Sequence, residues 1–370
     1  MERQEAWLTL HLLAGLGTMG CRTLIDHFGG PVQVLAADRQ ALARVENIRR
    51  EAVAALSGPG RQEAAASAAR ELVLIRQQGI SLLAWDDPLY PDQLRTIHSP
   101  PMLLYVKGDT AVLGKRGLAM IGSRACTDYG RSVANRMARD LARQGFVIIS
   151  GLALGIDAEA HRGALAGGGS TVAVLGCGLD LVYPRANQEL FQKIPEHGAI
   201  VSEYPLGTKP DSFRFPARNR IISGLAQGVI VVEAAKNSGS LITAQHALEQ
   251  GREVFAVPGR VDSFKSAGTH ALLQQGAKLV QSINDIIEEL PTGISAAADA
   301  DQPPTTFDLS PAERQLCACL DVYPKTIDEI AVAAALPTQK ASELLLLLEL
   351  KGAVQSLPGN CFQLTMPLEF

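Results

Sequence analysis

The 370-residue sequence predicts an α/β protein built on a parallel sheet with helices on both faces, flanked by a helical N-terminal domain and a small C-terminal unit. Three observations carry this. Six short apolar runs, "LAMIGSR", "FVIISGLA", "TVAVLGCG", "AIVSEYP", "GVIVVEA" and "EVFAVPG", each end in a small or polar cluster, and helical patterns separate most of them. Such alternation calls for crossover connections and so for a parallel sheet. Before these runs the chain is rich in Ala, Leu and Arg at helical spacing; after them the aperiodic stretch "PTGISAAADADQPPTTFD" reads as a linker. The expected organisation is a helical domain over 1–78, a sheet domain over 79–290, a linker over 291–309 and a last unit over 310–370.

The first domain reads as four or five short helices. It contains "GLGTMG" at 15–20, a literal G-x-G-x-x-G. That motif holds a dinucleotide only where a strand ends and a helix begins. The preceding run, Trp7 to Ala14, lacks the β-branched richness of a buried strand, and Asp38 lies in a helical pattern where an acidic strand end would be needed. The better reading is helix, tight turn, helix, serving either as a phosphate-facing hairpin or as a packing module. No cofactor is expected.

Ligands of open parallel sheets bind beyond the carboxyl ends of the strands, and the unusual residues of the second domain lie there. "IGSRACTDYGRS" offers Gly122, Ser123 and Arg124, with Thr127 or Asp128 as a helix N-cap. "SGLALGIDAEAH" begins at Ser150 and supplies Gly151 and Gly155 before a helix, so that free N–H groups can point outward. "LGCGLDLVYPRANQEL" adds Gly176, Gly178 and Arg185. "FRFPARNRIISGL" interleaves Arg214, Arg218 and Arg220 with Phe213 and Phe215, and "EAAKNSGSLITAQHALEQG" brings Lys236, Gly239, Ser240 and Thr243 to a helix start. Guanidinium forks match phosphate oxygens, and exposed rings stack on the bases of a single strand. Core packing is the competing role for the two Phe residues, and is expected of one of them.

Catalytic signals are sparse. Gly108 to Gly114-Lys115-Arg116 has the wrong spacing for a P-loop and no hydroxyl after the Lys. Asp157 and His161 share a helix face, where a structural pair is favoured over an acid–base pair. Glu203 and Glu233 stand at strand ends and are expected to tie down the arginine-bearing loops. His246 and His270 have no ligand-like partners in the sequence. Six scattered cysteines show no zinc or redox spacing and fit reduced thiols. A net charge of −4 means that any nucleic-acid site is a local concentration of positive charge. No run of ~18 apolar residues is present, so no membrane span is expected. The charged start "MERQEAWL" lacks a signal-peptide pattern, which makes a cytoplasmic location the expectation.

The ordered motifs "GSR", "SGLALGIDAEAH", "VYPRANQEL", "SEYPLGT", "FPARNRIISGL" and "VIVVEAAKNSGSLITAQHALEQGREVFAVPG", with "YPDQLRTIHSPPMLLYVKGD" upstream, resemble the DNA-processing protein A family, DprA or Smf, densely over 80–290. The resemblance implies an extended Rossmann-like core, a sterile-alpha-motif-like (SAM-like) domain around the "GLG" hairpin, and a non-enzymatic protein that binds single-stranded DNA. It further implies protection of incoming strands in natural transformation, RecA as a partner that is loaded onto them, and a homodimer. By motif it places Arg124 and Arg185 at DNA-contacting positions and lines the same pocket with "FPARNR", including Asn219. Ser212 stands where some members carry a Lys, so Lys209 or Arg214 is left to compensate, and "GTH" at 268–270 departs from the usual Asn in a loop contact. Residues 310–370 read as three helices and a hairpin turning at Pro-Gly-Asn, a winged helix pattern similar to that of some members. Its third helix offers Lys340 but also Glu343 and Glu349, which favours a protein-contact or auxiliary role over duplex reading. The alternative function is a phosphoribohydrolase-like nucleotide-cleaving enzyme, although "SGSLITAQHALE" stands where its "PGGxGTxxE" signature would be.

Overall fold

All six apolar runs form strands in the computed structural model, which describes residues 2–290, 309–320, 324–357 and 359–364. They are β3 (Gly117–Gly122), β4 (Val147–Ser150), β5 (Thr171–Leu175), β6 (Ala199–Ser202), β7 (Gly228–Glu233) and β8 (Glu253–Ala256). Two strands precede them, β1 (Ser81–Ala84) and β2 (Leu103–Gly108), and the two-residue β9 (Lys278–Leu279) follows. The sheet order is β1-β2-β6-β5-β4-β3-β7-β8-β9. From β6 to β9 every neighbour is parallel, whereas β1 and β2 join one edge antiparallel.

Strands covered on both faces must be apolar at successive positions, and these are. Along β3, Leu118 and Met120 enter one core cluster while Ala119 and Ile121 enter another. The β3 to β4 connection leads one way along the sheet and β7 pairs on the other side of β3. The order therefore reverses at β3 and β7, and a crevice opens beyond their carboxyl ends.

Six helices precede the sheet: α1 (Arg3–Leu12), α2 (Thr18–Phe28), α3 (Pro31–Ala36), α4 (Arg39–Ala43), α5 (Arg50–Ser57) and α6 (Pro59–Gln77), the last of 19 residues. The "GLGTMG" stretch runs from the α1–α2 turn, where Gly15 has φ +85°, through Gly17 as the α2 N-cap. A helix and not a strand precedes it, so the helix-turn-helix reading holds. The expected boundary at 78 falls in the gap between α6 and β1, but it does not separate two cores. Trp7, Leu8, Leu10 and Leu24 share one cluster with Tyr105, Leu175 and Ile200 of the sheet. The chain divides instead into two compact units, Met1–Ile294 and Ser295–Phe370.

The sheet's helices are α7 (Asp92–Arg95), α8 (Asp128–Arg143), α9 (Ile156–Ala166), α10 (Gln188–His197), α11 (Arg214–Gly224), α12 (Gly239–Glu249), α13 (Ala267–Gln274) and α14 (Asn284–Ile287). The second unit contains α15 (Pro311–Cys317), β10 (Lys325–Thr326), α16 (Ile327–Ala333), α17 (Thr338–Leu350), β11 (Val354–Leu357) and β12 (Cys361–Leu364), with strand order β10-β12-β11. This is a winged helix with its own core around Leu316, Ile330, Leu345 and Leu348. Ser310 with Glu313 and Thr326 with Glu329 form capping boxes at the starts of α15 and α16. Residues 291–308 of the expected linker lie outside the described residues, as does Pro358 of the expected turn.

Candidate nucleic-acid interface

The loop after β3 is built to present Arg124. Gly122 has no room for a side chain, since a Cβ there would meet Ile156 at 2.7 Å and the Glu233 carbonyl at 2.8 Å. The Ser123 N–H donates to the Glu233 carbonyl (2.7 Å), and the Thr127 N–H and hydroxyl donate to the Glu233 carboxylate (2.9 and 2.7 Å). Thr127 is the α8 N-cap, its hydroxyl oxygen accepting from Gly130. Between these anchors Arg124 is exposed, with its guanidinium 5.6 Å from the Phe215 ring. Glu233 thus ties down the arginine loop, the role expected of it.

The loop after β4 differs from expectation. Gly151 and Ala153 N–H groups turn inward and donate to Asp157 of α9 (3.1 and 3.4 Å). They are not free donors for a ligand, because Asp157 is only 7% exposed and needs them to satisfy its carboxylate. Leu152 takes φ +55°, and the buried Asn187 donates to the Leu152 and Ala153 carbonyls (2.9 and 3.1 Å). Gly155, at φ +76°, lies so close to the Ser123 and Arg124 carbonyls that a Cβ is excluded, and the two loops interlock. Ser150 sits beneath this floor, fully buried, its hydroxyl donating to the Met120 carbonyl (2.6 Å).

His161 is not the partner of Asp157. It is fully buried, with Nδ1 2.7 Å from the Thr171 hydroxyl. Thr171 donates its own proton to the Ile148 carbonyl (2.6 Å), so its oxygen accepts from the ring. Nε2 has no partner, and burial pulls the imidazole down to about 3. It is a neutral core histidine.

From β5, Gly176 lies flat against Phe215, where a Cβ would come within 3.0 Å of the ring. Tyr183, 41% exposed, stacks on Phe215 at 5.5 Å between centroids and 23° between planes. Arg124, Phe215 and Tyr183 therefore form a layered guanidinium and aromatic stack. Tyr183 is not among the residues expected from the sequence; its signal is an aromatic ring two positions before Arg185 in a strand-end loop. Arg185 itself is exposed but does not line the cleft.

Arg218, on α11, lies in the cleft floor at 5% exposure. One donor goes to the Gly151 carbonyl (3.0 Å), and its buried Nε has no partner. Burial pulls its value down to about 10, Asp157 raises it and Arg124 lowers it further, so it remains a cation at neutral pH. Two guanidiniums thus face one carboxylate. Asn219 donates to the Gly239 carbonyl (3.4 Å), joining α11 to the start of α12, where Gly239 and Ser240 complete the far side. The cleft, about 800 Å³, is lined by Ser123, Arg124, Tyr183, Phe215, Arg218 and Ser240 among others.

Other expected residues lie outside it. Arg220 points away into a part-buried ion pair with Glu203, so it offers no face to a base. Arg214 covers the rings of Phe213 (4.9 Å) and Tyr204 (5.6 Å) and donates to the Lys209 carbonyl, forming a second stack beside the cleft. Phe213 is 63% exposed and Phe215 half-buried, so neither is a core residue. Lys209 is exposed on the same loop, two residues before Asp211 and Ser212 of the cleft wall. His270 contacts the Gly259 carbonyl (3.1 Å), a loop contact as anticipated.

The sequence profile of DNA recombination-mediator protein A matches residues 81–291. The chain belongs to this family. A second profile, the DprA winged helix domain, matches residues 300–360 of this family member. The DNA processing protein DprA of Bacillus subtilis (strain 168) is 46% identical over 223 residues, 60% of this chain and 75% of its own. The crystallographic structure of DNA processing protein A from Streptococcus pneumoniae aligns with TM-score 0.69 and 36% identity, covering 79% of this chain and all of that one. A structure of the Helicobacter pylori protein, described for its single-stranded DNA binding mode, aligns with TM-score 0.52 and 35% identity over 56% of this chain and 94% of that one.

Proposed function

We propose that this family member binds single-stranded DNA in the cleft between the β3, β4, β5 and β7 loops and hands the strand to RecA, as a recombination mediator that cuts nothing. The observation that carries the reading is Arg218, a buried cation with an unpartnered donor beside exposed Arg124 and the Phe215–Tyr183 stack. Phosphate oxygens would complete the guanidinium hydrogen bonds, and unpaired bases would lie on the rings that a duplex cannot reach. The single-strand binding described for the Helicobacter pylori relative supports the reading. Glu203 and Glu233 are both engaged in holding structure, which speaks against a glutamate-driven nucleotide hydrolase. A role in natural transformation, a homodimer and a cytoplasmic setting belong to the same proposal.

Fluorescence anisotropy of the purified protein with labelled oligo-dT, at low and moderate salt with unlabelled duplex as competitor, tests it. The expected result is salt-sensitive binding, with a slope of roughly −0.7 per phosphate contact, that duplex does not displace. Arg124→Ala should weaken binding about tenfold or more for every strand sequence. Equal competition by duplex, or an unaffected Arg124→Ala variant, would overturn the assignment. Loading of RecA onto strands precoated with a separate single-strand-binding protein then tests the mediator step, and light scattering tests the homodimer.

A further inference from the structure

One wall of the cleft is the loop between β6 and α11, and its anchors come from two places. Pro210, Asp211 and Ser212 of this loop line the cleft. Just upstream, three successive residues are fixed. The Leu206 N–H donates to Oε1 of Glu71 on α6 (2.8 Å). The Gly207 N–H donates to both carboxylate oxygens of Asp180 (2.8 and 3.0 Å), in a turn at φ +76°. The Thr208 carbonyl accepts from Gly178 (2.9 Å). Asp180 and Gly178 belong to the β5 loop of the sheet domain, but Glu71 reaches in from the N-terminal helices, 135 residues away in sequence.

Glu71 is an unusual anchor. It is only 9% exposed, and no cation lies within ion-pair distance of it among the described residues. The hydroxyl of fully buried Tyr105 lies beside the carboxylate and favours its charged form against the cost of burial. A carboxylate with no cation beside it is costly to bury, and a helix that only needed packing would carry an apolar residue there. Glu71 accepts one backbone N–H of the loop that forms the cleft wall.

We propose that Glu71 is a positioning residue through which the N-terminal helices set the wall of the binding cleft. Without its acceptor, the 204–213 loop keeps its ties at Tyr204, Gly207 and Thr208 but loses its hydrogen bond to the N-terminal helices, and Lys209, whose carbonyl carries Arg214, shifts with it beside the strand path. The inference rests on the cleft being the single-strand site.

The test compares the full-length wild type with Glu71→Ala, Glu71→Gln and Asp38→Ala. Gln keeps an acceptor for Leu206. Asp38 caps α4 at the Ala41 N–H (2.8 Å), so its loss destabilises the same helical module without touching the wall. Stoichiometric titration with oligo-dT fixes the active fraction, and anisotropy gives affinity and salt slope. Glu71→Ala should bind about 5- to 10-fold more weakly with a slope shallower by about 0.7, the loss of one phosphate contact. Glu71→Gln should restore both, and Asp38→Ala should change neither. Glu71→Met, which keeps the side-chain volume, carries the same test if the alanine variant does not fold. A wild-type affinity and slope without the acceptor, or an Asp38→Ala variant that loses as much, overturns the inference while the cleft reading stands. A wild type that does not bind oligo-dT overturns both.

Discussion

His161 shows what one residue's spacing reveals and what it conceals. Four positions from Asp157 on one helix, it reads as that residue's partner, but the contact it makes is with Thr171 across the helix–strand interface. Helical periodicity locates neighbours along the element and is blind to the strand beneath it. The consequence is a pH dependence. The imidazole titrates near 6.5 in the unfolded chain and about 3 in the folded one. Between those values the unfolded state binds the extra proton, so this group's effect on stability is constant above about pH 6.5 and turns unfavourable as the pH falls. Urea unfolding at about pH 7 and about pH 5 should show the wild type losing about 2 kcal/mol more than His161→Gln. Equal losses in the two proteins would mean that His161 does not titrate in this window.

At the scale of elements, the strands were legible and their loops only partly so. Apolar runs of β-branched residues bounded by glycine leave little choice but a buried parallel strand, and β3 to β8 fall where the runs are. Loop chemistry depends on which way each N–H faces, and that is settled by distant acceptors. Gly151 is the clearest case: its N–H was expected to face a ligand and instead meets Asp157. Likewise Arg220 belongs to the same motif as Arg218, yet two residues of helical rotation send it to Glu203 and away from the cleft. The interlocked floor has its own test. A methyl group on Gly151 would come within 2.7 Å of the Arg218 guanidinium and 2.8 Å of the Asp157 carboxylate. Gly151→Ala should therefore displace Arg218 and weaken oligo-dT binding about tenfold or more, as for loss of a charged hydrogen bond. The Arg124 loop keeps its Glu233 anchors at Ser123 and Thr127, so the remaining salt slope should stay that of the other contacts. Unchanged affinity in the alanine variant would show that Arg218 makes no contact with the strand.

At the scale of the whole molecule, sequence composition marked three regimes, but the packing joins the first two. Composition reports what a segment is made of; whether its apolar face is covered by itself or by its neighbour depends on shape. Trp7, Leu8, Leu10 and Leu24 of the N-terminal helices lie at or below 1% exposure in a cluster that also holds Tyr105, Leu175 and Ile200. Each such side chain is worth roughly 1.5–3 kcal/mol when buried, so the four together contribute roughly 6–12 kcal/mol, comparable with the whole stability of a typical domain. The winged helix, by contrast, closes its own core around Leu316, Ile330, Leu345 and Leu348. A fragment of residues 1–290 should accordingly unfold cooperatively and bind oligo-dT with the full-length salt slope, whereas a fragment of residues 79–290 should be insoluble or lack a cooperative transition. Circular dichroism melts with anisotropy on both fragments decide the matter. A well-folded 79–290 would reduce the N-terminal helices to an accessory and remove the basis for Glu71 as a wall anchor. Lost or shallower binding by 1–290 would instead give the winged helix a share of the strand, with its phosphate contacts counted by the change in slope.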